Sequence, residues 1–185
     1  MAHLVYSAHT SLDGYTEDAA GSFDFTAPDE EVHAFVNDRV SQTGTFLFGR
    51  RMYETMSIWD TWDTSGAPRV TQEFQAIWSR ADKVVYSTGL HTVGTRLTRV
   101  ERTFDPQEVR ALTDASTRRV EIGGATIAAE AFRFGLVDEL ELYLSPVMVG
   151  GGLRALPSDV RLSLSLLEER HFGSGVVFLS YAVQR

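Results

Sequence analysis

The stretch RVEIGGATIAAEAFRFGLVDELELYLSP, Arg119 to Pro146, decides the architecture of this 185-residue chain. It opens with β-branched Val120 and Ile122, breaks at Gly123-Gly124, and runs through small residues to Gly135. From Glu139 to Leu144 polar and apolar residues alternate strictly. Period two on either side of a helix-forming run reads as strand, glycine turn, helix, strand. A strand that enters a helix through paired glycines leaves the first helical amides without intrahelical partners and lets a ligand approach the backbone, which suits a phosphate. The same pair also serves a tight connection with no ligand. A lone GG is weaker than a complete GxGxxG, so these residues alone leave both readings open.

Outward toward the N-terminus, Asp105-Pro106-Gln107-Glu108 joins an Asp cap and a Glu three residues later to Pro at the first helical position, so a helix leads into the stretch. Before it, Lys83–Tyr86 reads as a strand leaving through Ser87-Thr88-Gly89, and Thr98–Thr103 as a short strand. Helices are expected over Val70–Trp78 and Arg51–Ser57, separated by a loop carrying Trp59, Trp62 and Pro68. The buried run Thr45–Phe48 leads to Gly49-Arg50-Arg51. Pro28-Asp29-Glu30-Glu31 is the acidic first turn of a helix to about Gln42, with Val32, Phe35, Val36 and Val40 at helical spacing. Leu4–Ala8 is a first strand, expected to lie centrally. Ser11–Tyr15 turns the chain, and the polar segment to Ala27 reads as an ordered loop.

Beyond Pro146, Val149–Leu153 reads as a loop. Leu162–Glu169 and Val176–Tyr181 form a hairpin around Gly173-Ser174-Gly175. Helix-connected strands followed by a hairpin predict a single α/β domain, 1–185, built on a mixed, mostly parallel central sheet with helices on both faces.

The formal charge of -8 argues against a clustered basic surface for nucleic acid or anionic membrane. The absence of cysteine removes disulfides, thiolate nucleophiles and Cys-ligated metals. His3, His9, His33, His91 and His171 show no HxH or HExxH spacing, so no metal site is expected, and no GxSxG elbow is present. With no run approaching a membrane span, a soluble cytoplasmic protein is expected.

Four stretches now stand in order: SLDG after the first strand, FGRRMYE after the second, STG after the third, and IGGATI followed by GLVDELELYLSPVMVGGG. Together with the terminal FGSGVVFLSY they resemble the dihydrofolate reductase-like superfamily over essentially the whole chain. The resemblance is closest to the bacterial branch that includes the reductase domain of riboflavin biosynthesis. It implies NADPH bound across the carboxyl ends of the strands, transfer of a hydride to a small heterocyclic or conjugated substrate, and a homodimer. Carried over, Gly49, Arg50, Arg51 and Met52 match the turn that holds the adenosine phosphates, and Ser87 and Thr88 the turn that lines the 2'-phosphate. Gly123, Gly124, Ala125, Thr126 and Ile127 match the glycine turn and helix start under the pyrophosphate. The nicotinamide then falls beside Ala8, His9 and Asp13. Asp13 and Glu30 become the candidate proton donors, and His9, Tyr53 and Ile122 the candidate walls of a substrate pocket.

Departures from the family pattern narrow the substrate. Met52 stands where a threonine is usual, and Thr88 where an arginine or lysine is common. Tyr15 and Ile122 replace the lysine after SLDG and the glutamate before the glycines that the riboflavin branch carries. A ribityl phosphate would lose charged contacts at both places, so that substrate is not assigned. A non-catalytic nucleotide-binding or dimeric interaction protein on the same fold is the alternative.

Overall fold

The structure, a computed structural model, describes residues 2–184. Its strands are β1 (Leu4–Ser11), β2 (Tyr15–Glu17), β3 (Thr43–Gly49), β4 (Asp82–Tyr86), β5 (Thr98–Glu101), β6 (Arg119–Gly123), β7 (Glu139–Ser145), β8 (Leu153–Arg154), β9 (Leu164–His171) and β10 (Val177–Val183). Its helices are α1 (Glu30–Val40), α2 (Arg50–Met56), α3 (Arg69–Arg80), α4 (Pro106–Ala115) and α5 (Ala125–Arg133). Eight strands form one sheet in the order β5-β4-β3-β6-β1-β7-β10-β9. Pairings from β5 to β7 are parallel, and β10 pairs antiparallel with both β7 and β9. The mixed, mostly parallel sheet and the C-terminal hairpin are those the sequence pattern predicts, with β1 central as expected.

Both faces are covered because the strands carry apolar residues on both sides. On one face Leu4, Tyr6, Leu47, Val84 and Ile122 pack with Val109, Ala128 and Phe132 of α4 and α5. On the other, Phe46, Phe48 and Val85 meet Phe74, Ile77 and Trp78 of α3, and Tyr143 and Phe178 meet Val32 and Phe35 of α1. Two helix starts are capped as their sequences predict. Asp29 accepts from Val32 N at 2.8 Å, and Asp105 from Gln107 N at 2.7 Å. Each cap stabilises its helix by about 1 kcal/mol.

Two further features are not marked in the sequence. The loops over 15–27 and 149–153 are partly regular, because β2 and β8 pair as a separate two-stranded sheet. Gly152, at φ 133°, lies so close to β2 that a Cβ there would sit 1.9 Å from the Glu17 carbonyl oxygen. The polar positions in the alternation over Glu139–Leu144 are turned into the protein rather than toward solvent. Glu141 is fully buried, and its carboxylate accepts from Arg119 Nη1 and Nη2 at 2.9 and 2.6 Å and from Arg39 Nε at 3.0 Å. Arg39 also reaches Glu139 and Glu168, and so ties α1 to β7 and β9.

Candidate functional site

The carboxyl ends of β4, β3 and β6 lie side by side, since Gly49 pairs with Tyr86 and Phe48 with Gly123. The 49–52, 87–88 and 123–127 turns are thereby brought together. Helices α2 and α5 begin at Gly49 and Gly124 without a side-chain cap, in contrast to α1 and α4. In α5, Ala128 N is the first amide to bond back, to Gly124 O at 3.1 Å. The amides of Ala125, Thr126 and Ile127 therefore have no intrahelical acceptor. A Cβ on Gly49 would lie 3.7 Å from Ile127, so the two helix starts lie side by side.

Close packing explains the glycine pair. A Cβ on Gly123 would approach the Phe48 ring to 2.8 Å, and one on Gly124, at φ 95°, would meet Met52 Cβ at 3.1 Å. Met52 is thus the side chain pressed against the turn. Thr126 is exposed and Ala125 buried. Open amides, small residues and the positive end of a helix dipole fit a diphosphate.

Arg50 and Arg51 project into solvent beside these turns, Arg50 paired with Glu54 at 3.3 Å and Arg51 with Glu17 at 3.8 Å. The Ser87 hydroxyl accepts from Leu90 N at 3.0 Å and so shapes its own turn. A residue the motifs missed, Arg102, donates from Nη1 to the carbonyls of Ser87, Thr88 and Leu90 at 3.1, 3.4 and 2.7 Å. Its position one residue after a short strand gave no sequence signal, because the turn it grips lies across a parallel crossover.

The proposed pocket residues do not come together. Ile122 is fully buried in the core beneath α4 and α5, and Ala8, expected beside the nicotinamide, is largely buried in the same core. Tyr53 is the buried residue of α2, its hydroxyl 2.9 Å from Thr95 Oγ1, at the wall of a groove of about 430 Å³ that also contacts Ser57, Ile58 and Thr92. His9 points to the opposite face from Ile122 and stacks on Tyr143, ring centroids 4.4 Å apart at 7°. On α1, His33 stands edge-on to Trp59 and near Phe74, an aromatic cluster that the isolated residues did not announce.

Asp13 closes a turn. Its carboxylate accepts from Val149 N at 3.1 Å and Gly150 N at 2.8 Å. A side-chain hydrogen bond with Ser11, reinforced by these amides, holds it below the usual carboxylate range. It is therefore ionised near neutrality and poorly suited to donating a proton. Glu30 is exposed at the first position of α1, while the neighbouring Glu31 accepts from Gly173 N at 3.0 Å.

Burial, and secondarily the charge of His33, lower the His9 pKa to about 4 from 6.5. Protonation then favours the unfolded chain, so stability present above pH 6.5 is lost as pH falls toward 4. By pH 5 this loss is at most about 2 kcal/mol, an upper figure because the ring keeps part of its surface exposed. Urea denaturation at pH 7 and pH 5 checks it. His9→Phe, which keeps the stack, loses less stability than the parent between the two; equal losses contradict the assignment.

Among the described residues, no group of three or more His, Cys, Asp or Glu side chains could hold a metal ion. Among the described residues, no helix is long and apolar enough to cross a membrane.

The strand order, the glycine turns and the hairpin define the dihydrofolate reductase-like class. Residues 2–178 match the RibD C-terminal domain, and the chain belongs to that family. It is 26% identical to the Bacillus subtilis (strain 168) "Uncharacterized protein YyaP" over 182 residues, 96% of this chain and 93% of that one. A putative riboflavin biosynthesis protein from Shewanella sp. PV-4 superposes with a TM-score of 0.76 at 18% identity, covering 99% of each chain. Acinetobacter baumannii RibD gives 0.73 at 16% identity over 100% of this chain and 58% of that one. A pyrimidine reductase-like protein from Corynebacterium diphtheriae gives 0.65 at 16% identity over 100% and 92%.

Proposed function

We propose that this chain is an NADPH-dependent reductase of a small, heterocyclic or conjugated substrate. The observation that carries the reading is the juxtaposition of two uncapped helix starts, α2 and α5, at the carboxyl ends of adjacent parallel strands flanked by arginines. In open α/β sheets ligands lie outside the carboxyl ends of the strands. The α5 amides of Ala125, Thr126 and Ile127 would hold the pyrophosphate, and Arg50 and Arg51 the adenosine phosphates. Bound there, NADPH supplies a hydride; the chain orients it, excludes water and provides a route for the proton. With Asp13 committed to the 149–150 amides, the neutral His9 imidazole at the same end of β1 is the better-placed hydrogen-bond donor, and its stack on Tyr143 favours a flat substrate.

Titration of the protein with NADPH and NADH, followed by quenching of its tryptophans, tests this. Saturable NADPH binding is expected, and replacing Arg50 and Arg51 together by alanine should weaken it about tenfold or more. Unchanged affinity in the double variant would remove those arginines from the site, and no binding of either nucleotide would remove the reading. The engagement of Asp13 also favours a second reading, nucleotide binding without turnover. A screen of NADPH oxidation against flat conjugated acceptors separates the two.

A further inference from the structure

Three arginines stand at the carboxyl ends of β3 to β5, and they differ in what surrounds them. Arg50 and Arg51 each have a carboxylate nearby, Glu54 at 3.3 Å and Glu17 at 3.8 Å. Among the described residues, Arg102 forms no ion pair, although it is exposed. Three backbone carbonyls hold its Nη1 at the Ser87–Leu90 turn, which fixes the guanidinium in place and leaves Nε and Nη2 without an acceptor among the described residues. A pre-positioned, unneutralised arginine fork of this kind fits a phosphate dianion.

The inference rests on the reading that the pyrophosphate sits over α5. From there the nucleotide can extend toward β4 or toward β7. The β7 side offers the ionised Asp13 and the neutral His9, whereas the β4 side offers Arg50, Arg51 and Arg102. The phosphate-bearing half is therefore drawn toward β4. Two strand spacings, about 10 Å, separate the end of β6 from the end of β4, a span that an extended adenosine diphosphate covers. We infer that Arg102 reads the adenosine 2'-phosphate and sets the preference for NADPH over NADH. It supplies from the end of β5 the charge that Thr88, in the turn itself, lacks. Without a 2'-phosphate the fork has no charged acceptor, so its removal should leave NADH untouched.

The test is fluorescence titration of the parent protein, Arg102→Ala and Arg102→Met with NADPH and with NADH, circular dichroism confirming that each is folded. The methionine variant keeps an unbranched side chain of similar length without the guanidinium and carries the test if the alanine variant does not fold. The expected result is NADPH affinity weakened by about 10- to 100-fold with NADH affinity changed by less than about twofold. Equal weakening of both nucleotides overturns the inference, because the arginine then only shapes the turn. A parent that prefers NADPH, with that preference intact in the variants, also overturns it and leaves the reductase reading standing. A parent that binds neither nucleotide overturns both.

Discussion

Replacing Arg119 by alanine is expected to destabilise the fold by about 3–5 kcal/mol, the cost of leaving a buried charge without its partner. Glu141 is fully buried in the centre of the sheet, and both of its oxygens accept from the Arg119 guanidinium. Burial raises the Glu141 pKa, but the hydrogen bonds and charges of Arg119 and Arg39 outweigh it and bring the net shift below the usual range. Glu121, 3.1 Å from the same arginine, has its pKa raised, chiefly by burial. Without Arg119, Glu121 loses its nearest cation and Glu141 loses the arginine that bridges both of its oxygens, whereas Arg39 donates to Oε1 of Glu141 only. Urea denaturation at pH 7 should show the loss as a lower midpoint with little change in slope. The gap from the parent should narrow as pH falls into the carboxylate range, because the orphaned acids take up protons and cease to be buried charges. A loss below about 1 kcal/mol at pH 7 would mean that the network relaxes without cost.

Gly152→Ala is expected to cost about 3 kcal/mol or to detach the small sheet, whichever is less. The added Cβ would lie 1.9 Å from the Glu17 carbonyl oxygen and 2.6 Å from the Asp18 carbonyl carbon, and a φ of 133° is itself unfavourable for alanine. Backbone atoms cannot swing aside as a side-chain tip can, so β2 and β8 must part at Glu17 and Leu153. Hydrogen exchange over 15–17 and 153–155 reads this locally, and denaturation reads it globally. Gly151→Ala is the matched control, since its Cβ would meet nothing within 4 Å. Equal behaviour of the two variants would contradict the close approach.

These two cases also mark where the sequence stops being informative. Apolar periodicity and the caps at Asp29 and Asp105 place five helices and the main strands, because those signals act within a few residues. Glu139 and Glu141 alternate with leucines as a solvated edge would, and only the arrival of α1, with Arg39 100 and 102 residues earlier in the chain, encloses them. The pairing of β2 with β8 spans a similar separation and leaves only Gly152 as a trace, in a run of three glycines that reads as a loop. In the site, the glycine turns and Arg50-Arg51 are local and therefore readable. Arg102 and the stack of His9 on Tyr143 are not, since each depends on a neighbouring strand or a crossover. Ile122 shows the converse: its place before the glycines suggests a pocket wall, yet strand alternation turns it into the core.

The central claim is that a dinucleotide lies across the carboxyl ends of β4, β3 and β6, and a crystal structure of the chain grown with NADPH tests it most directly. The account predicts the pyrophosphate within hydrogen-bonding distance of the amides of Ala125, Thr126 and Ile127, with the adenosine over Gly49 and the Ser87–Leu90 turn. A nucleotide found instead in the groove beside Tyr53 and Thr95, or anywhere away from the start of α5, would contradict it.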